Sequence, residues 1–195
     1  MRKIIALEGL RCAGKTTFLN KLKESNPEFC CVPELYIQTE RYDPDELIRE
    51  KYAKAEIQKK KDILNINKHV VYDRSFLSTL AFAYAKYRIT GNRDDHDFYR
   101  TFLSDNRGNI VMPDYIFVFT ITPKVSIERG RKVVRDNTLD FWQNEAFLQN
   151  FSDFYNSDEC KYVVNEDKII SVDTMNRTEQ ETYEFIINML REGCK

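Results

Sequence analysis

Glycine is scarce in this chain, with six residues in 195, and proline scarcer still at five, so neither a collagen-like repeat nor a low-complexity linker is present. Long apolar runs are missing too. Nothing approaches the ~20 residues that cross a bilayer, and the opening "MRKIIALEGL" lacks the apolar segment and small-residue cleavage site of a signal peptide, so the expected location is cytoplasmic. Charge of one sign is absent as well: 30 basic and 31 acidic residues leave a net charge of −1, which supplies no global field for a polyanion and argues against a nucleic-acid partner. Five cysteines, an odd number without a CxxC spacing, and two histidines without such partners exclude a disulfide framework and a zinc cluster. They read as reduced thiols, mostly in the core.

What is present suffices for one large domain, expected over 1–195. Hydrophobic residues make up 42% of the chain and aromatics 13%, enough for a continuous core. Five nearly continuous apolar runs, at 3–7, 29–33, 69–73, 115–121 and 168–173, have the look of strands buried on both faces. Helical patterns lie between and after them, at 15–24, 44–66, 76–90, 94–104, 124–134, 139–156 and 178–191. Strands alternating with helices predict an α/β fold with a parallel sheet covered on both sides. The polar stretches "TGNRDD" and "DNRGNIVMPD" read as loops within it.

Two of the six glycines flank one lysine near the start. Gly9-Leu10-Arg11-Cys12-Ala13-Gly14-Lys15-Thr16 fits G-x-x-x-x-G-K-[ST], the phosphate-binding loop, directly after a strand and before a helix. Its glycines let successive N–H groups turn inward as an anion nest, and the following helix adds its N-terminal dipole. The stretch Gly9, Arg11, Cys12, Ala13, Gly14, Lys15, Thr16 and Thr17 is therefore expected to bind the phosphates of ATP, with Lys15 on the β- and γ-phosphates and Thr16 on Mg²⁺. The bland alternative is a solvent-exposed glycine turn. Cys12, close to Lys15 and a helix N-terminus, is expected to have a lowered thiol pKa and ATP-protectable reactivity. No guanine-reading NKxD string occurs, which favours a compact small-molecule kinase over a GTPase.

Three further candidates follow. Asp73 and Arg74 stand where a buried strand ends, at the carboxyl edge where open α/β sheets bind ligands; Asp73 would serve Mg²⁺ and Arg74 the acceptor, against the plainer reading of a strand-end salt bridge or helix cap. Glu34 follows Pro33 at the end of another strand and is placed to act as a general base, although surface glutamates are common. Arg129, Arg131 and Arg135 sit in "ERGRKVVRD", a segment suited to a lid of about 129–142 whose arginines neutralise charge during phosphoryl transfer; helical spacing keeps the three from sharing one face. In "FLSTLAFAYAKY", Phe76, Phe82 and Tyr84 are candidates for stacking on a base, set against the alternative that the helix is mostly core. Trp142 reads as packing.

Taken together, EG-x-x-x-x-GKTT, VPE, DRS, the arginine-rich segment and "FWQNEAFLQNFSDFY" resemble the thymidylate kinase and deoxynucleoside kinase superfamily of P-loop kinases over nearly the whole chain. The resemblance implies a five-stranded parallel sheet of order 2-3-1-4-5, ATP with Mg²⁺, an arginine-bearing lid and often a homodimer. Glu34 and Asp73-Arg74-Ser75 match the deoxynucleoside kinase pattern, in which the glutamate is the general base, with Leu35 where a proline is usual. The segment from Arg129 to Tyr155 is more like a thymidylate kinase lid, shortened, whereas Arg11-Cys12 and the missing REPGG-like string depart from that branch. A nucleoside monophosphate acceptor is the first expectation and a deoxynucleoside the alternative. A regulatory ATPase and a kinase of a non-nucleoside stay open.

Overall fold

In the computed structural model, which describes residues 2–34, 45–131 and 140–192, five parallel strands form one sheet. They are β1 (Ile4–Gly9), β2 (Phe29–Val32), β3 (His69–Asp73), β4 (Tyr115–Thr120) and β5 (Ile169–Asp173), in the order β2-β3-β1-β4-β5. In β1 the consecutive residues Ile5, Ala6, Leu7 and Glu8 are all buried, which requires cover on both faces of the sheet. Each run ends close to its sequence-based limit. Pro33, which has no N–H to give to a ladder, follows the last residue of β2.

The connecting helices are α1 (Lys15–Ser25), α2 (Asp45–Leu64), α3 (Phe76–Thr90), α4 (Asp94–Asn106), α5 (Pro123–Arg131), α6 (Glu145–Phe154), α7 (Asp158–Val163) and α8 (Glu179–Glu192). Their limits follow capping chemistry. The Ser75 hydroxyl accepts from the Leu77 amide to start α3, and Gly91, at φ 78°, closes it in the left-handed conformation. Asn144 accepts from the Phe147 amide, so α6 starts at Glu145, later than the helix expected from 139; a 3-10 turn at Asp140–Gln143 precedes it. Ser157 caps α7, a short helix that the sequence reading did not foresee.

α1 packs against β2, β3 and α8, while α3 packs against β1, α4 and α6. The register sets Leu7 beside Asp73 and Gly9 beside Phe119, so the loop after β1 and the turn after β3 emerge together at the carboxyl edge. No helix among the described residues is long and apolar enough to cross a membrane. Arg135 and most of the lid segment expected at 129–142 lie outside the described residues.

Candidate active site

The first cavity, of about 600 Å³, opens over the loop after β1. Gly9 (φ 110°), Cys12 (φ 59°) and Gly14 (φ 97°) turn the backbone with left-handed angles. At Gly9 a side chain is also excluded by space, since a Cβ would lie 2.2 Å from the Phe119 carbonyl oxygen. Gly14 is the N-cap of α1 and no side chain caps that end, so the first-turn amides face the cavity with the helix dipole behind them. Cys12, Ala13, Gly14, Lys15, Thr16 and Thr17 line it. Lys15 is buried and donates from Nζ to the carbonyls of Gly9 (3.2 Å) and Leu10 (2.7 Å). Burial first, and the Arg74 charge second, bring its pKa down from 10.5 to about 7, against the opposing pull of Asp73, Glu34 and Glu8.

Two of the loop residues expected on phosphate do not line this cavity: Gly9, whose carbonyl holds Lys15, and Arg11. The Arg11 carbonyl accepts from Ser126 Oγ at 2.9 Å, and its guanidinium lies 6.0 Å from the centre of the Trp142 ring. From α5, Arg129 reaches the cavity and donates to the Cys12 carbonyl at 3.2 Å. Arg131 is exposed at the end of α5 and lines neither large cavity, in keeping with helical spacing that separates the two.

At the cavity mouth Thr16 Oγ1 donates to Asp73 Oδ2 at 3.2 Å, while Asp73 Oδ1 is buried without a hydrogen-bond partner among the described residues. An orphaned carboxylate oxygen beside a hydroxyl is a hard-oxygen pair that fits Mg²⁺, with phosphates and water completing the shell. Among the described residues no cluster of three or more His, Cys, Asp or Glu side chains competes for a metal.

The turn after β3 carries Arg74 at φ 62°, an angle that a non-glycine residue adopts at a cost and that neighbouring bonds must hold. Its amide donates to the Leu7 carbonyl (2.9 Å), and its carbonyl accepts from Lys59 Nζ (3.2 Å). The side chain pairs through Nε with Glu34 Oε1 at 2.7 Å and donates from Nη1 to the Gly9 carbonyl and to Ser78 Oγ, both at 3.2 Å. Burial disfavours its charge, yet Glu34, Tyr155, Glu8 and Asp73 together raise its pKa further. Sequence reasoning gave no role to Glu8, which is fully buried here and accepts from the Ser75 amide (2.8 Å), both serine hydroxyls and Tyr155 Oη (2.9 Å). The available signal was a lone carboxylate inside an apolar strand.

A second cavity, of about 690 Å³, lies beyond Arg74 between α2, α3 and the residues before α6. Among the described residues its charged lining is balanced. Arg74 pairs with Glu34 (2.7 Å), Lys59 with Glu56 (2.7 Å), Arg49 with Asp95 (2.7 Å), and Lys86 with Asp95 (2.6 Å) and Asp45 (3.4 Å). Burial raises the pKa of Glu56, with Lys59 opposing. Phe82, Phe141, Trp142 and Phe151 form the apolar wall, the Phe82 ring centre lying 5.9 Å from that of Phe141 and 5.8 Å from that of Trp142. Trp142, read from sequence as packing, is thus also a wall residue.

Phe82 alone of the three expected stacking rings lines this space. Phe76 is buried beside a void of about 10 Å³, and Tyr84 packs on His96 and Phe154 at ring-centre distances of 6.1 and 5.6 Å. For Tyr84 the reason is rotation, since at about 100° per residue it lies on the opposite face of α3 from Phe82; Phe76, about a turn and a half nearer the start of the helix, is enclosed instead by residues of α2 and α4.

No family model and no curated protein matches the chain. Solved structures do. Deoxyadenosine kinase from M. mycoides with bound dATP superposes with a TM-score of 0.72 at 17% identity, covering 96% of this chain and 99% of that one. The same enzyme with dCMP and dCDP gives 0.72 at 18%, covering 97% and 99%. Thymidylate kinase from Candida albicans gives 0.73 at 15%, covering 98% and 92%. Matches that run almost end to end at such low identity carry architecture: the chain has the fold of the P-loop nucleoside and nucleotide kinases.

Proposed function

We propose that the protein transfers the γ-phosphoryl group of ATP to the 5′-hydroxyl of a deoxynucleoside. The sequence leaned toward a monophosphate acceptor; the observation that carries the present reading is the charge balance of the second cavity. Among the described residues, the four cations that line it, Arg49, Lys59, Arg74 and Lys86, are each paired with a carboxylate. A dianionic acceptor needs unpaired cations, whereas a neutral nucleoside needs an apolar wall and a carboxylate near the donor.

Glu34 stands between the cavity and Arg74 and is the base of this reading. It accepts the hydroxyl proton while the new P–O bond forms and the bond between the β- and γ-phosphates breaks, leaving ADP. Lys15 and the loop amides hold the donor, Arg74 orients the acceptor oxygen and Arg129 approaches from the lid side. Thr16 and Asp73 would hold Mg²⁺, which when bound would supply positive charge against the phosphates.

The test is ADP release with Mg-ATP across a panel of nucleosides and nucleoside monophosphates, with Lys15→Ala as blank. Turnover on a deoxynucleoside, reduced about 10²- to 10⁴-fold in kcat by Glu34→Gln with unchanged ATP affinity, is the expected result. Turnover only on monophosphates, surviving Glu34→Gln, would replace this reading with a nucleotide kinase. Silence across the panel despite ATP binding would turn attention to a regulatory ATPase or a non-nucleoside substrate.

A further inference from the structure

We infer that Glu8 is a positioning residue that aims the Arg74 guanidinium through Ser75 and Ser78, a role that rests on the phosphoryl-transfer reading for its kinetic consequence but not for its geometry. A carboxylate fully buried in the central strand is costly unless each lone pair finds a donor. Three of the four donors that Glu8 finds belong to the turn and helix that carry Arg74: the Ser75 amide, the Ser75 hydroxyl and the Ser78 hydroxyl. The fourth is Tyr155 Oη, just after α6.

The direction of these bonds matters. A serine hydroxyl has one proton, and Ser78 gives it to Glu8 Oε2, so its lone pairs are turned outward, where Arg74 Nη1 donates to one of them at 3.2 Å. Ser75 does the same work on the backbone. Its amide, bound to Glu8 Oε1 at 2.8 Å, fixes the peptide that follows Arg74, while the Arg74 amide is fixed by the Leu7 carbonyl at 2.9 Å. The left-handed φ of 62° at Arg74 is thus clamped on both sides by residues 7 and 8 of the same strand, the strand that leads into the phosphate loop. To the direct bond from Arg74 Nη1 to the Gly9 carbonyl, Glu8 thus adds a second link between the donor loop and the acceptor arginine, through a side chain that lines neither cavity.

The test uses Glu8→Gln, and Ser78→Ala as a variant that cuts the relay while leaving the buried carboxylate in place. Rotation of the Arg74 guanidinium about its Cζ–Nε bond, read by nitrogen-15 exchange spectroscopy of ligand-free protein and assigned through Arg74→Lys, reports the aim directly. Expected is rotation at least about tenfold faster in both variants. Expected alongside it is a kcat about 10- to 100-fold lower, with ATP affinity and the KM for ATP held within about twofold. Unchanged rotation in both variants, with only a lowered melting temperature, would overturn the inference and leave Glu8 as a core contact. If wild-type protein turns over no nucleoside, the function reading fails while the rotation measurement still decides this one; if Glu8→Gln does not fold, Ser78→Ala decides it.

Discussion

The floor of the proposed donor cavity is one continuous run, Cys12 to Phe18, with Arg129 and residues 174–182 around it, whereas the proposed acceptor cavity is assembled from side chains on α2, α3, α4, α6 and the turn before α6. The first presents amides, a helix terminus and a buried lysine to a ligand that brings its own charge. In the second, the charges of the described residues are neutralised in pairs. A backbone nest recognises phosphate whatever is attached to it, while a ring of paired side chains around an aromatic wall discriminates by shape and by which pair a substrate can replace. Arg74 lines the second cavity and reaches back to the loop, held by the Gly9 carbonyl on one side and Glu34 on the other.

The largest effect that would sharpen this contrast is on the donor side. Lys15 in the free protein titrates near 7 because it is buried beside Arg74, and bound phosphates would favour its charged form. Above pH 7, ATP binding must then take up a proton, and affinity falls by up to about tenfold per pH unit between 7 and 9. Calorimetry in two buffers of different ionisation heat should show an uptake of nearly one proton at pH 8. The same shift has the opposite sign for the ligand-free fold: the unfolded chain holds the Lys15 proton and the folded one has lost it, so stability rises as pH climbs from 7 toward 10.5. Binding without proton uptake would mean that the Gly9 and Leu10 carbonyls keep the ammonium charged, and the donor cavity would then be as neutralised as the acceptor one.

An intermediate effect tests the acceptor side. Asp95 holds both Arg49 and Lys86; burial would raise its pKa, but the hydrogen bonds from Lys86 and Arg49 outweigh this and bring it below the ordinary carboxylate range. Its contribution to stability is therefore present at neutral pH and lost as pH falls through the folded-state value. Asp95→Asn should lower stability by about 1 kcal/mol at pH 7, measured by urea unfolding, and by less at pH 3. With Arg49 released from Asp95 and Lys86 left only its longer contact to Asp45, the nucleoside KM should rise about tenfold and that for a monophosphate should fall. If the variant treats both acceptors as before, charge balance is not what selects between them.

The same contrast explains what the sequence revealed. Buried parallel strands are apolar runs, and a phosphate loop is contiguous, so all five strands and the placing of Lys15, Thr16 and Asp73 together at the carboxyl edge could be read without a structure. Glu34 needed only its place after a proline-terminated strand. Arg11 was misread because a loop position gives the direction of an amide but not of a long side chain, which here reaches Trp142. Glu8 escaped because a single carboxylate in a strand does not say which serines and which tyrosine, up to 147 positions away, will surround it. In α3, apolar residues occur all round the helix because α4, α6, β1 and the cavity all meet it, so periodicity could not single out one aromatic ring.

The smallest effect separates those rings. Phe82 stands in the cavity wall against Phe141 and Trp142, so Phe82→Leu removes stacking area and should raise the nucleoside KM by about three- to tenfold, with little change in kcat or in ATP affinity. Tyr84 is packed between His96 and Phe154, two residues farther along the same helix, and Tyr84→Phe keeps that ring contact while removing only the hydroxyl. Steady-state kinetics of the two variants on one nucleoside should therefore diverge, with Tyr84→Phe indistinguishable from wild type. Equal KM increases would mean that the acceptor reaches the face of α3 now filled by Tyr84, and that the acceptor cavity, unlike the donor loop, changes shape when it binds.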